Sequence, residues 1–315
     1  MRSPRGLPRG QPWEVRSDEA LNQSPSRRQK WSAEPVIGDR RSTERRFALL
    51  RYSRFVERYA ISLGPGSLRQ LLPTAIHIAE TEADVAPEES ENPFADVESA
   101  GLHQAVEQRR REFLTTRCCA HAALEAAGAP PEALLRGAQG QPLWPDGVIG
   151  SLTHFSARTD RGKVYRGAAV TTTDKYALLG IDAELGKPLP RGLPEMITSR
   201  TERRSAAKLF ETVPELPVSR LMFSIKESFY KARFPVSGSF LDFLDVEIDF
   251  AQSERCVPEL TPEYAEYAAD GMSVSGTFAA SVVNPARSHR SLPDALEGRF
   301  LVGGDRILTA VMLER

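Results

Sequence analysis

Residues 223–234 read FSIKESFYKARF, a stretch with helical spacing that carries charge where a helix buries its apolar face. At about 100° per residue, Met222, Phe223, Ile225, Phe229, Tyr230 and Phe234 share one broad arc. Lys226 and Arg233 fall inside that arc, Glu227 lies at its edge, and Lys231 follows Glu227 at i+4 on the polar side. A lysine on a core-facing stripe needs an anion or a route to water. Snorkelling and an ordinary Glu–Lys helix pair would also account for the pattern in isolation. Which anion meets two lysines and a glutamate on one helix is a question for the rest of the chain.

The chain has 315 residues, room for one large domain or two modest ones. A formal net charge of -1 gives no global pull toward nucleic acid or a membrane surface. No apolar run approaches the roughly 20 residues of a membrane span, and the arginine-bearing N-terminus lacks the apolar region of a secretory signal. Cys118, Cys119 and Cys256 cannot form a disulfide framework, and adjacent cysteines do not have zinc spacing. These features predict a reduced, cytoplasmic, soluble protein.

Residues 1–45 are rich in Arg, Ser, Pro, Gly and Gln and read as a disordered, mildly basic tail. Residues 46–63 have the pattern of a basic amphipathic helix, closed by the Gly-Pro-Gly at 64–66. Residues 80–98 hold eight acids and no base and are expected to form an exposed loop. A long helix is expected over 102–128, ended by Gly128 and the prolines at 130 and 131. GVIGSLTH (147–154) predicts a short strand running into a turn, and RGAAVTTT (166–173) and YALLGIDAEL (176–185) two more strands. Helices follow at 194–211 and 219–234, then a strand over FLDFLDVEIDF (240–250) and a terminal hairpin turning at Gly303-Gly304-Asp305. Helices and strands mix without regular βαβ alternation, so the expected fold class is α+β.

In LLGIDAEL, alternation puts Leu179, Ile181 and Ala183 on one face and Gly180, Asp182 and Glu184 on the other. Two carboxylates then stand roughly 6.5–7 Å apart at Cα, with Gly180 leaving room beside them. Oxygen pairs of this kind suit Mg²⁺, which takes phosphate oxygens and water as further ligands; a solvated strand face is the plainer account. Glu227 would add a third carboxylate from the helix, with Lys226 and Lys231 flanking a metal-bound phosphate. GSLTHF (150–155) brings hydroxyls and an imidazole to the expected turn, where backbone N–H groups can hold a phosphate. Arg109, Arg110, Arg111 and Arg117 crowd one helix, and Arg136 sits in a Gly- and Pro-rich loop. Gly-x-Ser-x-Gly, Walker, His-Glu-x-x-His and strand-borne Gly-x-Gly-x-x-Gly motifs are missing from the sequence. Residue types alone thus suggest a Mg²⁺ site beside a polyphosphate ligand.

WPDGVIGSLTH (144–154), LGIDAE (179–184) and FSIKESFYKARFP (223–235), in that order and at that spacing, resemble the 4′-phosphopantetheinyl transferases. The resemblance is closest to the larger monomeric type that serves siderophore, polyketide, non-ribosomal peptide and mycolic-type lipid synthases. It covers roughly residues 65–315, including RRREFLTTRCCAHAAL (109–124), RGAQGQPLWPDG (136–147), FLDFLDVEI (240–248) and the closing strands. It implies two similar α+β halves with pseudo-two-fold symmetry, over 65–179 and 180–315, with residues 1–64 outside them and coenzyme A bound between. It implies transfer of the phosphopantetheine arm of coenzyme A to a serine of an apo acyl or peptidyl carrier protein, with release of adenosine 3′,5′-bisphosphate. Carried over residue by residue, Asp182, Glu184 and Glu227 would hold Mg²⁺ (Mn²⁺ is equally served by oxygen ligands). Glu227 would also act as base on the acceptor serine, directly or through a water, and Lys231 would contact the transferring phosphate. Lys226 would lie along the coenzyme, whose pyrophosphate would be the anion it needs. Thr153 and His154 would face the coenzyme phosphates, His154 near the 3′-phosphate, and Arg109, Arg117 and Arg136 would bind them as well.

Phe155 stands where this type commonly has Cys, and SARTDRGKVYRG (156–167) is longer than the usual link. The added loop at 156–166 would border the coenzyme mouth. Two rival readings are a coenzyme A-binding regulator without turnover and a metal-dependent phosphohydrolase of coenzyme A. For the carrier, Arg200, Arg203, Arg204 and Lys208 form one candidate docking patch, beside the plainer account of a solvated helix face.

Overall fold

The structure, a computed structural model, describes residues 68–85, 92–157, 163–214, 216–250, 273–303 and 305–315. The expected tail, the 46–63 helix, Cys256, Gly304 and the centre of the 156–166 loop lie outside these residues. The strands are β1 (His77–Thr81), β2 (Val148–Ser156), β3 (Val164–Thr172), β4 (Tyr176–Leu185), β5 (Val246–Asp249), β6 (Ser273–Val282), β7 (Ala295–Gly303) and β8 (Arg306–Glu314). The helices are α1 (Ala95–Glu98), α2 (Glu107–Ala126), α3 (Leu193–Ile197), α4 (Arg200–Thr212) and α5 (Val218–Ser237). Two antiparallel sheets result, ordered β1-β3-β2 and β4-β8-β7-β6-β5. Helices packed on antiparallel sheets make the fold α+β, as the sequence indicated.

Each sheet carries one 20-residue helix. Helix α2 lays Cys119, Ala120, Ala123 and Leu124 against Ala79, Ala168 and Val170 of the three-stranded sheet. Helix α5 lays Leu221, Ile225, Phe229 and Ala232 against Leu178, Ile307 and Val311 of the five-stranded one. The sheets share a third cluster, where Leu68, Ile76, Tyr165 and Ala169 meet Ile181, Ala183, Leu308 and Ala310. Each fully buried side chain of this size stabilises the fold by roughly 1.5–3 kcal/mol. Strand β4 therefore has two covered faces: Leu179, Ile181 and Ala183 look to the first sheet, and Leu178 looks to α5.

The seam between the sheets is polar and ordered. Ser151 Oγ accepts from Ile181 N at 3.0 Å and Thr153 Oγ1 accepts from Ala183 N at 2.7 Å, so β2 and β4 advance in step. Gly180 sits where β4 and α5 touch. A Cβ there would lie 2.0 Å from the Ser228 carbonyl oxygen and 2.5 Å from Ala232 N. The space that Gly180 leaves is thus filled by helix backbone, not by a ligand.

Several boundaries differ from expectation. The join expected just before Gly180 falls inside β4; the chain passes between sheets at 173–175 instead. The turn expected at 150–155 is continuous strand, paired with β3 as far as Ser156↔Val164. The helix expected over 194–211 is two helices broken at Thr198, where Ser199 caps α4 with Glu202 in a reciprocal pair of hydrogen bonds. Only 246–249 of the strand expected over 240–250 is strand; Phe243–Asp245 is a 3₁₀ turn. The acidic 80–98 segment is not uniformly exposed. Glu80 is buried on β1, accepting from Leu68 N at 3.1 Å and from the Tyr165 hydroxyl. Glu98 is buried beside His121 at 2.7 Å and accepts from Leu134 N.

Candidate active site

Asp182 projects from β4 toward α5, as its alternation with the core-facing Ile181 requires. One carboxylate oxygen accepts from Lys231 Nζ at 2.6 Å and the other from Ser224 Oγ at 2.8 Å. Ser224 is itself held by Thr309 of β8 at 3.0 Å, and Thr153 Oγ1 lies 3.4 Å from Asp182 on the seam side. Strand, helix and seam thus fix this carboxylate in one orientation. Two residues on, Glu184 accepts from Arg220 Nη1 at 2.7 Å.

The charges of Asp182, Glu184, Glu227 and Lys231 are coupled. Burial, then Asp182, push the Glu184 carboxyl up to about 7 against the opposing Arg220 and Lys231. Burial pushes the Glu227 carboxyl up to about 7 as well; Lys231 opposes this, and Asp182 and Glu184 add to it. Burial works against the Lys231 ammonium, but Asp182 and Glu227 outweigh it and its pKa is raised. Three carboxyls sharing a poorly hydrated place are short of countercharge. Their donor set, all hard oxygen, fits Mg²⁺ or Mn²⁺. Among the described residues, however, no group of three or more His, Cys, Asp or Glu side chains is already arranged to hold a metal ion.

A second set of groups borders this one. His154 Nε2 lies 3.1 Å from Arg109 Nη1 and 2.8 Å from Glu112 Oε1. Loss of hydration, then Arg109, Lys231 and Arg166, push the imidazole down to about 3 against the pull of Asp182. Arg117 is buried over the Phe113 ring at 4.9 Å, and its Nε and Nη1 have no hydrogen-bond partner among the described residues. Burial lowers its pKa to about 10, with Glu98 opposing and Arg136 adding to the effect. Arg136 opens a loop that closes on itself through Gly137 N to Gln141 O at 2.9 Å or less, with Gly140 at φ +81. Arg109 and Arg110 at the start of the arginine run are solvated.

Two expectations need correction. Thr153 and His154 do not face a ligand together, because neighbours on a strand point to opposite faces. Thr153 is fully buried in the seam and its hydroxyl is spent on Ala183 N; His154 alone faces outward. Lys226 does not lie along the cleft either. It is buried, and its ammonium reaches Glu202 at 2.8 Å and the carbonyls of Ile197, Phe243 and Val246 at 2.8, 2.7 and 2.7 Å. The anion it needs is a carboxylate of the same chain. Phe155, stacked on Tyr165 with ring centroids 5.8 Å apart, is a core residue.

The sequence did not single out Ser224, Arg220 or Glu112, and it offered Ser151 as part of the expected phosphate-holding turn, whereas its hydroxyl accepts from Ile181 N in the seam. Ser224 lies on α5 just ahead of Glu227, so its helical phase placed it near the carboxylates. Glu112 lies at i+3 from Arg109, a spacing that brings the two together on one helix face. Arg220 carries no comparable local signal.

A family model described as the 4′-phosphopantetheinyl transferase N-terminal domain matches residues 97–159, and one described as the 4′-phosphopantetheinyl transferase superfamily matches 178–283. The chain is 38% identical over 228 residues to the 4′-phosphopantetheinyl transferase Svp of Streptomyces mobaraensis, covering 72% of this chain and 81% of that protein. It is 35% identical over 214 residues to the 4′-phosphopantetheinyl transferase PptT of Mycobacterium tuberculosis, covering 67% of this chain and 82% of that protein. It is 35% identical over 212 residues to the 4′-phosphopantetheinyl transferase Npt of Nocardia iowensis, covering 67% and 85%. The two matched segments carry His154 on one side and Asp182, Glu184, Glu227 and Lys231 on the other, and the chain belongs to the 4′-phosphopantetheinyl transferase family as a transferase of that type.

Proposed function

We propose that this chain transfers the 4′-phosphopantetheine group of coenzyme A to a serine of an apo acyl or peptidyl carrier protein, as a cytoplasmic monomer, with a divalent cation as cofactor. The observation that carries the reading is the meeting of β4 and α5. Asp182 is locked to Lys231 at 2.6 Å, and Glu184 and Glu227 share its charge. Asp182, Glu184 and Glu227 would hold Mg²⁺ or Mn²⁺, which when bound offsets the negative charge of the pyrophosphate.

Glu227 is the candidate base. It lies on α5 four residues before Lys231, and its charge is coupled to Asp182 and Glu184, which puts a proton acceptor where the carboxylates meet. It removes the serine proton as the serine oxygen bonds to the phosphorus nearest the pantetheine arm. The bond from that phosphorus to the bridging oxygen breaks, and adenosine 3′,5′-bisphosphate leaves. Lys231 offsets charge that builds on the phosphoryl oxygens. Arg109, Arg117, Arg136 and His154 bind the remaining phosphates; the unspent N–H groups of buried Arg117 support its share. For the carrier, helix α4 presents Arg200, Arg203, Arg204 and Lys208 to solvent, a basic face suited to an acidic helix.

Intact-mass spectrometry of an apo carrier incubated with the chain, coenzyme A and Mg²⁺ tests the reading. A gain of one phosphopantetheine group supports it. Coenzyme A bound tightly with no gain across several carriers points to a non-catalytic binder, and coenzyme A consumed without carrier modification points to a hydrolase.

A further inference from the structure

Glu112 belongs to none of the roles above, yet four groups from three elements converge on it. Its Oε1 is hydrogen-bonded by Arg109 Nη1 from its own helix and lies 2.8 Å from His154 Nε2 on β2. Its Oε2 lies 3.4 Å from Ser156 Oγ and 4.0 Å from Nη2 of Arg166, which is fully buried on β3. Arg166 is in turn fixed by both oxygens of Asp84, each at 2.9 Å. The Glu112 side chain is only 12% exposed, whereas those of Arg109 and His154 are 50% and 40% exposed. A nearly buried carboxylate, held from behind, thus grips two more exposed groups.

His154 Nε2, at 2.8 Å from the carboxylate oxygen, helps to hold that oxygen in place. Arginine has a long side chain whose freedom must be given up on binding. We propose that Glu112 is a positioning residue for anion binding: held by His154, Ser156 and Arg166, its carboxylate fixes the fork of Arg109 so that the remaining N–H groups of that guanidinium meet one phosphate of the coenzyme. This rests on the reading that Arg109 binds coenzyme phosphate. Glu112 touches neither substrate nor reacting atoms in this role; Ser156 and Arg166 keep its carboxylate turned toward Arg109.

The test is equilibrium binding of adenosine 3′,5′-bisphosphate to the full chain and to Glu112→Gln, Arg109→Gln and the double variant. Glu112→Gln keeps size and shape, and Glu112→Asp serves as a second variant that keeps the charge. Glu112→Gln should weaken binding by about tenfold, the scale of one charge-assisted hydrogen bond, with Glu112→Asp recovering part of the loss. The double variant should bind no more weakly than Arg109→Gln. Unchanged binding in Glu112→Gln, or strictly additive losses in the double variant, overturns the proposal while leaving the phosphate site intact. If Arg109→Gln binds the bisphosphate as well as the parent does, the phosphate reading fails and this proposal with it.

Discussion

Lys226 Nζ stands 2.8 Å from Glu202 Oε1 in the interior between α5 and α4, with side chains 1% and 0% exposed. Glu202 also accepts from Ser199 N at 2.7 Å and Ile248 N at 3.0 Å. One ion pair therefore ties together the start of α4, the start of β5 and the middle of α5. Burial lowers the pKa of Lys226, and Glu202 pulls the other way. Lys226 precedes Glu227, so this anchor sets the phase in which the next residue meets the cleft.

Lys226→Met should destabilise the fold by about 3–5 kcal/mol, because Glu202 is left as an uncompensated buried charge. Lys226→Met with Glu202→Leu should recover a substantial part. Urea unfolding reads both. A Lys226→Met chain that unfolds like its parent would show that the pair contributes little.

Gly180→Ala brings a Cβ to 2.0 Å from the Ser228 carbonyl oxygen, and backbone on both sides must move. The cost should reach or exceed the roughly 1–3 kcal/mol of ordinary overpacking. Transfer should fall further than stability does, since β4 carries Asp182 and α5 carries Glu227. Melting temperature and transfer rate, measured together, check both statements.

Thr153→Val removes the acceptor for Ala183 N in the buried seam. An orphaned buried donor should cost about 1–3 kcal/mol. Thr153→Ser keeps the oxygen and should lose less. A Thr153→Val chain that unfolds like its parent in denaturant titration would show that the hydroxyl contributes little.

Glu227→Gln should slow mass gain on the carrier by roughly 10²–10⁴-fold, the usual share of a general base, while the far-ultraviolet spectrum is unchanged. A variant within a few-fold of the parent rate would falsify its assignment as base.

The pH dependence of the metal-free chain follows from the same carboxyls. Glu184 and Glu227 hold protons to about 7 in the folded chain, against an ordinary value of 4.5. Between those values the folded state binds more protons than the unfolded one, so stability falls as pH rises from about 4.5 to about 7. Glu227→Gln should flatten that decline in melting scans run with a chelator, and Mg²⁺ should offset it in the parent.

The sequence was most informative where local periodicity decides the outcome. Alternation in 176–185 placed Ile181 and Ala183 in the core and Asp182 toward the helix, as found. Helical phase placed Ile225 and Phe229 on one buried stripe and set Lys231 close enough to reach Asp182. It failed where a partner lies far along the chain. Thr153 and His154 looked like one phosphate-binding turn until pairing with β3 made the segment continuous strand and sent their side chains apart. Glu80 and Glu98 looked like surface charge, but buried donors at Leu68, Leu134, Tyr165 and His121 claim them.

What the sequence determined by itself was the identity of the fold class and the residues able to do the chemistry, because side-chain type and short-range spacing are local properties. What only the tertiary structure decided was which charge meets which. A lysine on an apolar arc demands an anion, but the demand does not name one. Glu202 is 24 residues before Lys226, and only the packing of α4 and β5 around α5 brings its carboxylate to that ammonium rather than a ligand's phosphate.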